Sequence, residues 1–131
     1  MTTPLKIVPL RTAHACVSTV EEAAVRRILA ARRVREQQLG PELFADPAWD
    51  LLLEALAAEA GRKTLSISRL KGAANVPPST AERWIRKLEN DGWLYRTERF
   101  GDGDQNVSLT PEGSAKLRHL FETVAAAAMP I

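Results

Sequence analysis

Apolar positions along the chain follow two rhythms, one of three to four residues and one of two. From residue 18 or 19 to Leu39, Val20, Ala24, Ile28, Ala31 and Val34 recur at helical spacing, with Val17 just ahead of them. That spacing predicts an apolar stripe along one long helix. Ser18 or Thr19 can cap it, Glu21 and Glu22 suit the positive end of its dipole, and Gly40-Pro41 stops it. Asp46-Pro47 opens a second helix, a capping acid followed by a residue with no amide to satisfy. Its predicted buried face is Trp49, Leu52, Leu53, Leu56 and Ala60, and Gly61 ends it.

The elements then shorten. Residues 64–66 read as a brief strand. Ser66 or Ser68 caps a two-turn helix through Ala74, which Asn75 ends in a left-handed conformation. Val76-Pro77-Pro78 is a tight turn, and a longer helix runs from Pro78 to about Asp91, closed by Gly92. Residues 93–100 and 105–109 read as paired strands around the turn Gly101-Asp102-Gly103-Asp104. Thr110-Pro111-Glu112 starts a last helix with a stripe of Leu117, Leu120, Phe121 and Val124.

Helix, sharp turn, helix and hairpin in this order predict a mainly α fold. It is a winged helix-turn-helix with a small β-hairpin wing, flanked by N- and C-terminal dimerisation helices. The expected division is a flexible arm at 1–17 and a single winged-helix domain at 18–131. Within that domain, 18–40 and 111–128 are the dimerisation helices, and 62–110 holds the helix-turn-helix and wing. The two end stripes would leave apolar surface in water unless they pack on each other and on a second copy, so a homodimer is expected.

Composition removes several functions. A 131-residue chain with 45% apolar residues has material for one core. The single cysteine, Cys16, excludes an internal disulfide and a cysteine-based zinc site, and two histidines, His14 and His119, cannot make a His-rich one. Cys16 lies near Arg11 and His14, but a lone cysteine reads first as a small apolar filler or an idle thiol. Asp102, Asp104 and Asn106 imitate the start of a calcium loop. Val107 and Gly113 then stand where that loop needs glycine and glutamate. No nucleophile–base set and no glycine-rich phosphate loop is present, so neither an enzyme nor a cofactor is expected. No apolar run approaches the roughly 18 residues of a membrane span, and the start has no continuous apolar core for a secretory signal. A cytoplasmic protein with no membrane partner is expected.

Charge distribution says more than its total of +2. Between residues 42 and 59 every charge is acidic (Glu42, Asp46, Asp50, Glu54 and Glu59), beside a first helix rich in arginine. That pairing predicts solvated or acid-paired arginines rather than a second DNA contact. Residues 62–99 hold nine basic and four acidic side chains, a local charge of +5. A positive segment inside a nearly neutral chain is the footprint of a polyanion binder. At 100° per residue, Ala81, Trp84, Ile85 and Leu88 fall on the core side of the second motif helix. Ser79, Arg83, Arg86 and Asn90 lie opposite, flanked by Thr80 and Lys87 on one side and Glu82 on the other. A charged outer face is usually only a solvated one. Turn, hairpin and local charge together point instead to base edges and phosphates.

Three stretches resemble the MarR family of bacterial winged-helix regulators: LGPELFADPAWDLLLEAL, LSISRLKGAANVPPSTAERWIRKLENDGWLYR and VSLTPEGSAKL. The most specific parts are RWIRKLENDGWLYR and LTPEG, and the resemblance covers residues 43–121. It implies a homodimer on pseudo-palindromic operator DNA, with a small-molecule effector possible. The wing tip lacks the arginine usual in the family, so wing contacts pass to Arg96 and Arg99. The chain also has one C-terminal helix where many members have two, and Pro77-Pro78 makes a rigid start to the recognition helix.

The expected function is therefore a sequence-specific regulator of transcription bound to double-stranded DNA. Ser79, Thr80, Arg83 and Arg86 enter the major groove, with Arg83 bidentate to guanine. Lys87, Arg69, Lys71, Arg96 and Arg99 hold phosphates. The alternative is a winged-helix protein–protein interaction module that does not bind DNA.

Overall fold

The computed structural model describes residues 20–40, 46–97 and 105–127, with side chains through Thr123. The arm at 1–17, Cys16, the caps Ser18 and Thr19, Arg99 and the wing tip lie outside the described residues. In chain order the elements are α1 (Glu22–Leu39), α2 (Pro47–Ala60), α3 (Ile67–Ala73), α4 (Pro78–Asn90), β1 (Leu94–Thr97), β2 (Asn106–Leu109) and α5 (Pro111–Ala127). This is the mainly helical winged arrangement expected from the sequence.

The core is built around α2. Leu51, Leu52, Leu53, Ala55, Leu56, Ala57 and Ala58 are all buried, a wider face than the expected one, while Trp49 packs half-buried at its edge. Ala60, expected to be buried, is half-buried. A helix touched by α1, α3, α4 and the wing keeps only a narrow side for water, at Glu54 and Glu59. Asp46 caps α2 as expected, its carboxylate accepting from the Trp49 amide at 3.3 Å.

Helix α1 departs from its expected stripe. Val25 and Leu29 are buried, and the same row continues through Arg32 and Glu36. Ala31 and Val34 face solvent, and Ala24 and Ile28 lie on the flank. Apolar spacing alone misplaced the inner face because half of that face is charged. Its first turn is capped by Glu21, with no side-chain hydrogen bond.

The motif follows expectation with two changes. Residues 64–66 form no strand. Ser66 instead makes one antiparallel bridge to Asn106, and Leu65 accepts from the Val107 amide at 2.8 Å. Ser66 is the cap of α3, accepting from the Arg69 amide at 3.1 Å. Asn75 does not end α3 in a left-handed conformation; Ala74 does so in extended backbone, with φ −82° and ψ 139°. The Asn75 side chain is used in a tertiary contact, described below.

Gly92 has φ 88° after α4, a conformation that favours glycine, and the Trp93 amide bonds back to Leu88. Strands β1 and β2 pair antiparallel, Leu94 with Leu109 and Arg96 with Val107, with Leu94, Val107 and Leu109 turned into the core. Thr110 joins the wing to α5. Its hydroxyl donates to the Gly92 carbonyl at 2.6 Å and accepts from the Gly113 amide at 2.9 Å. A Cβ on Gly113 would stand 2.8 Å from the Trp93 carbonyl, so only glycine lets the helix start this close to the wing. On α5, Leu117 is buried and Phe121 packs on the core, its ring 6.4 Å from that of Trp49. Leu120, expected to be in the stripe, is 41% exposed. Ser114 and Arg118 are buried in its stead, both bonded to Glu59 of α2.

Candidate nucleic-acid interface

Helix α4 presents the face its periodicity predicts. Ala81, Ile85 and Leu88 are buried and Trp84 is half-buried against the core. Ser79, Arg83, Arg86, Lys87 and Asn90 are exposed, and Thr80 is half-buried. Pro78 sits at the first helical position, where its missing amide costs nothing. Helix α3 sets Arg69 outward and Lys71 at the edge. Arg96 extends from β1 toward α4. Every described residue of the expected site thus lies on α3, α4 or the adjoining strand.

Their charges are not equally available. Glu82 Oε1 lies 3.1 Å from Lys71 Nζ, and Glu82 Oε2 accepts from Arg86 at 2.8 Å and from Arg96 at 2.9 Å. Arg96 also donates to Glu89 at 2.8 Å and is only 22% exposed along its side chain. Lys87 pairs with Asp91 at 3.0 Å. No carboxylate among the described residues pairs with the guanidinium of Arg69 or Arg83. Of the expected contacts, those two are the readiest for a new anionic partner, and Arg96 is the most committed to its own protein.

Sequence reading missed Glu82 and Glu89 as members of the site. Their signal was present: seven residues apart, they share one side of a helix, and that side faces a strand carrying Arg96. Partial burial works against the charge of Glu82, but hydrogen bonds from Arg96, Lys71 and Arg86 outweigh it and hold its carboxyl at about 2, below an ordinary 4.5. Glu89 bonding, opposed by partial burial and joined by Glu82, raises Arg96. A carboxyl lowered by folding contributes stability above its unfolded value and loses it as pH falls toward the folded one. The stability difference between the parent and Glu82→Gln is therefore expected to be constant above about pH 5 and to shrink toward pH 2, as read by urea unfolding across that range. A difference that stays flat to the lowest pH would show that Glu82 does not carry the clamp.

A second charged network lies behind the motif. Arg32 donates to Asp50 at 2.7 Å with both side chains buried, and Arg33 reaches Asp50 at 3.1 Å and Glu36 at 2.6 Å. Arg33 also donates to the carbonyl of Ala73 at 2.9 Å, and Asn75 donates to Glu36 at 3.1 Å. Partial burial opposes the Arg33 charge, yet Asp50 and Glu36 outweigh it and raise its pKa. Arg26 pairs with Glu54. These arginines of α1 thus bind the acids of α2 and the turn before α4, the acid-paired reading taken from the sequence.

Among the described residues no His, Cys, Asp and Glu group could hold a metal, and no helix is long and apolar enough to cross a membrane.

A helix-turn-helix with an antiparallel wing defines the class as winged helix. Solved structures share that fold. No protein-family model and no curated protein matches the chain. AF1382 from Archaeoglobus fulgidus is similar at a TM-score of 0.54 and 18% identity, over 72% of this chain and 96% of that one. A mutant of MepR from a multidrug resistant S. aureus clinical isolate gives 0.53 and 18%, over 81% and 76%. A MarR family transcriptional regulator from Silicibacter pomeroyi gives 0.51 and 22%, over 81% and 69%. At these identities the likeness is one of fold.

Proposed function

We propose that this chain is a cytoplasmic, sequence-specific regulator of transcription that binds double-stranded DNA as a homodimer on a pseudo-palindromic operator. The observation that carries the reading is the outer face of α4. It offers exposed Ser79, Arg83 and Arg86 on a helix held at the front of the motif. A helix so placed fits a major groove about 12 Å wide, and its side chains are those that meet base edges and phosphates. Ser79, Thr80, Arg83 and Arg86 are assigned to the groove, and Arg69, Lys71, Lys87, Arg96 and Arg99 to the backbone. The fold shared with a protein named as a MarR family transcriptional regulator supports the same reading.

Exposed apolar side chains support the dimer. Val34 and Leu39 of α1 are 50% and 60% exposed, and Leu120 of α5 is 41% exposed, all on the end helices assigned to dimerisation. An open cavity of about 610 Å³ lies by Arg32, Arg35, Trp49, Leu52 and Leu120, between those helices and α2.

Selection of bound fragments from a random duplex pool tests the proposal. The expected product is an imperfect palindrome with half-site centres roughly 10 bp apart, bound by a species that sediments as a dimer. A chain that enriches no sequence while remaining folded would favour the protein–protein module, and a monomer with and without DNA would remove the dimer.

A further inference from the structure

Six cations stand on the described DNA-facing surface, and Glu82 alone engages three of them, each from a different direction. Lys71 comes from α3, Arg86 from the next turn of α4, and Arg96 from the wing. The carboxylate sits on the flank of the recognition helix, half-buried, between the groups that would otherwise meet phosphate. A merely structural clamp between α4 and β1 is already supplied by Glu89, which holds Arg96 at 2.8 Å. Drawing Lys71 and Arg86 into the same cluster does something else. It lowers the charge the surface can offer to any polyanion.

Non-specific binding to DNA comes almost wholly from cations replacing condensed counterions, whereas discrimination comes from base contacts. An internal carboxylate that occupies cations therefore weakens binding to random DNA more than binding to a matched site. Arg83, the cation assigned to base reading, is the one on α4 that no described acid holds. We propose that Glu82 is a specificity-determining residue: its single carboxylate, shared by Lys71, Arg86 and Arg96, weakens the hold of those three on phosphate, so that Arg83 and the uncharged groove contacts weigh more in deciding which DNA is bound. This deepens the DNA-binding reading and rests on it.

The test compares the parent, Glu82→Gln and the double variant Glu82→Gln/Lys71→Gln. Each is titrated with the selected operator and with a scrambled duplex at several salt concentrations. Glu82→Gln is expected to bind the scrambled duplex more tightly, with a log–log salt slope steeper by about 0.9 for every cation that moves to a phosphate, so by about 1 to 3 in all. The operator-to-scrambled affinity ratio is expected to fall. Adding Lys71→Gln should return about 0.9 of the slope. Should Glu82→Gln not fold, Lys71→Gln alone decides. A cation whose hold on phosphate is weakened by Glu82 changes the slope by less than about 0.9, while loss of a full contact overturns the proposal. An unchanged slope and ratio in Glu82→Gln overturns it too. So does a new base preference at one position with the slope intact, which would make Glu82 a direct reader. A parent that binds neither duplex overturns the DNA reading and this proposal with it; a parent that binds, with an indifferent Glu82→Gln, overturns this proposal alone.

Discussion

Replacing Asp50 with alanine is expected to destabilise the domain by about 3–5 kcal/mol, the cost of stripping one partner from a buried ion pair. Asp50 is 1% exposed and Arg32 5%, so water cannot take over the lost contact. Arg33 loses the same carboxylate, one of its three partners beside Glu36 and the Ala73 carbonyl. Among the described residues Arg32 Nη2 and Glu36 Oε2 have no hydrogen-bond partner, which leaves the cluster little reserve. Against a typical domain stability of about 5–15 kcal/mol, that loss is a large fraction. Urea unfolding should show a lower midpoint with little change in slope. Removing both buried partners, as Arg32→Met with Asp50→Leu, should recover most of the loss, because no uncompensated charge then remains inside. A cost below about 1 kcal/mol for Asp50→Ala would mean that the pair is solvated like a surface bridge.

Arg83→Lys is expected to lose roughly 1–3 kcal/mol on the selected operator while keeping most of its affinity for scrambled DNA. Guanine shows two acceptors in the major groove, which a guanidinium can meet with two parallel donors. Lysine keeps the charge but lacks that fork. Arg83 is exposed on the outer face of α4, and no described carboxylate competes for it. Titration of both proteins against both duplexes at one salt concentration gives the result directly. An unchanged affinity ratio would pass the base-reading role to Arg86, which must first leave Glu82 at 2.8 Å.

Local signals made most of this fold legible. Asp46-Pro47, Pro78 and Thr110-Pro111 mark helix starts because capping and proline geometry act within one turn, and each start is where those residues put it. Gly92 marks an end for the same reason. The outer face of α4 was readable because its inner face is cleanly apolar. Where apolar and inward cease to coincide, the reading failed. The inner row of α1 continues from Val25 and Leu29 into Arg32 and Glu36, and no periodicity of hydrophobic residues can find a buried guanidinium. Asn75 suits a helix end by type, yet its amide is taken by Glu36, 39 residues away.

The order of the helices, their starts at Pro47, Pro78 and Pro111 and the residues on the recognition face were thus determined by the sequence alone, because propensity, capping and periodicity are short-range effects. Which charges remain available on that face was decided only by the tertiary structure. Lys71, Glu82 and Arg96 belong to three separate elements, and the lone i,i+4 pair between Glu82 and Arg86 gives no hint that two more cations arrive on the same carboxylate. The same holds for Arg32 and Asp50, 18 residues apart in the chain and 2.7 Å apart in the fold. Electrostatic partnership depends on distance in space and on burial, and both exist only once the helices have packed.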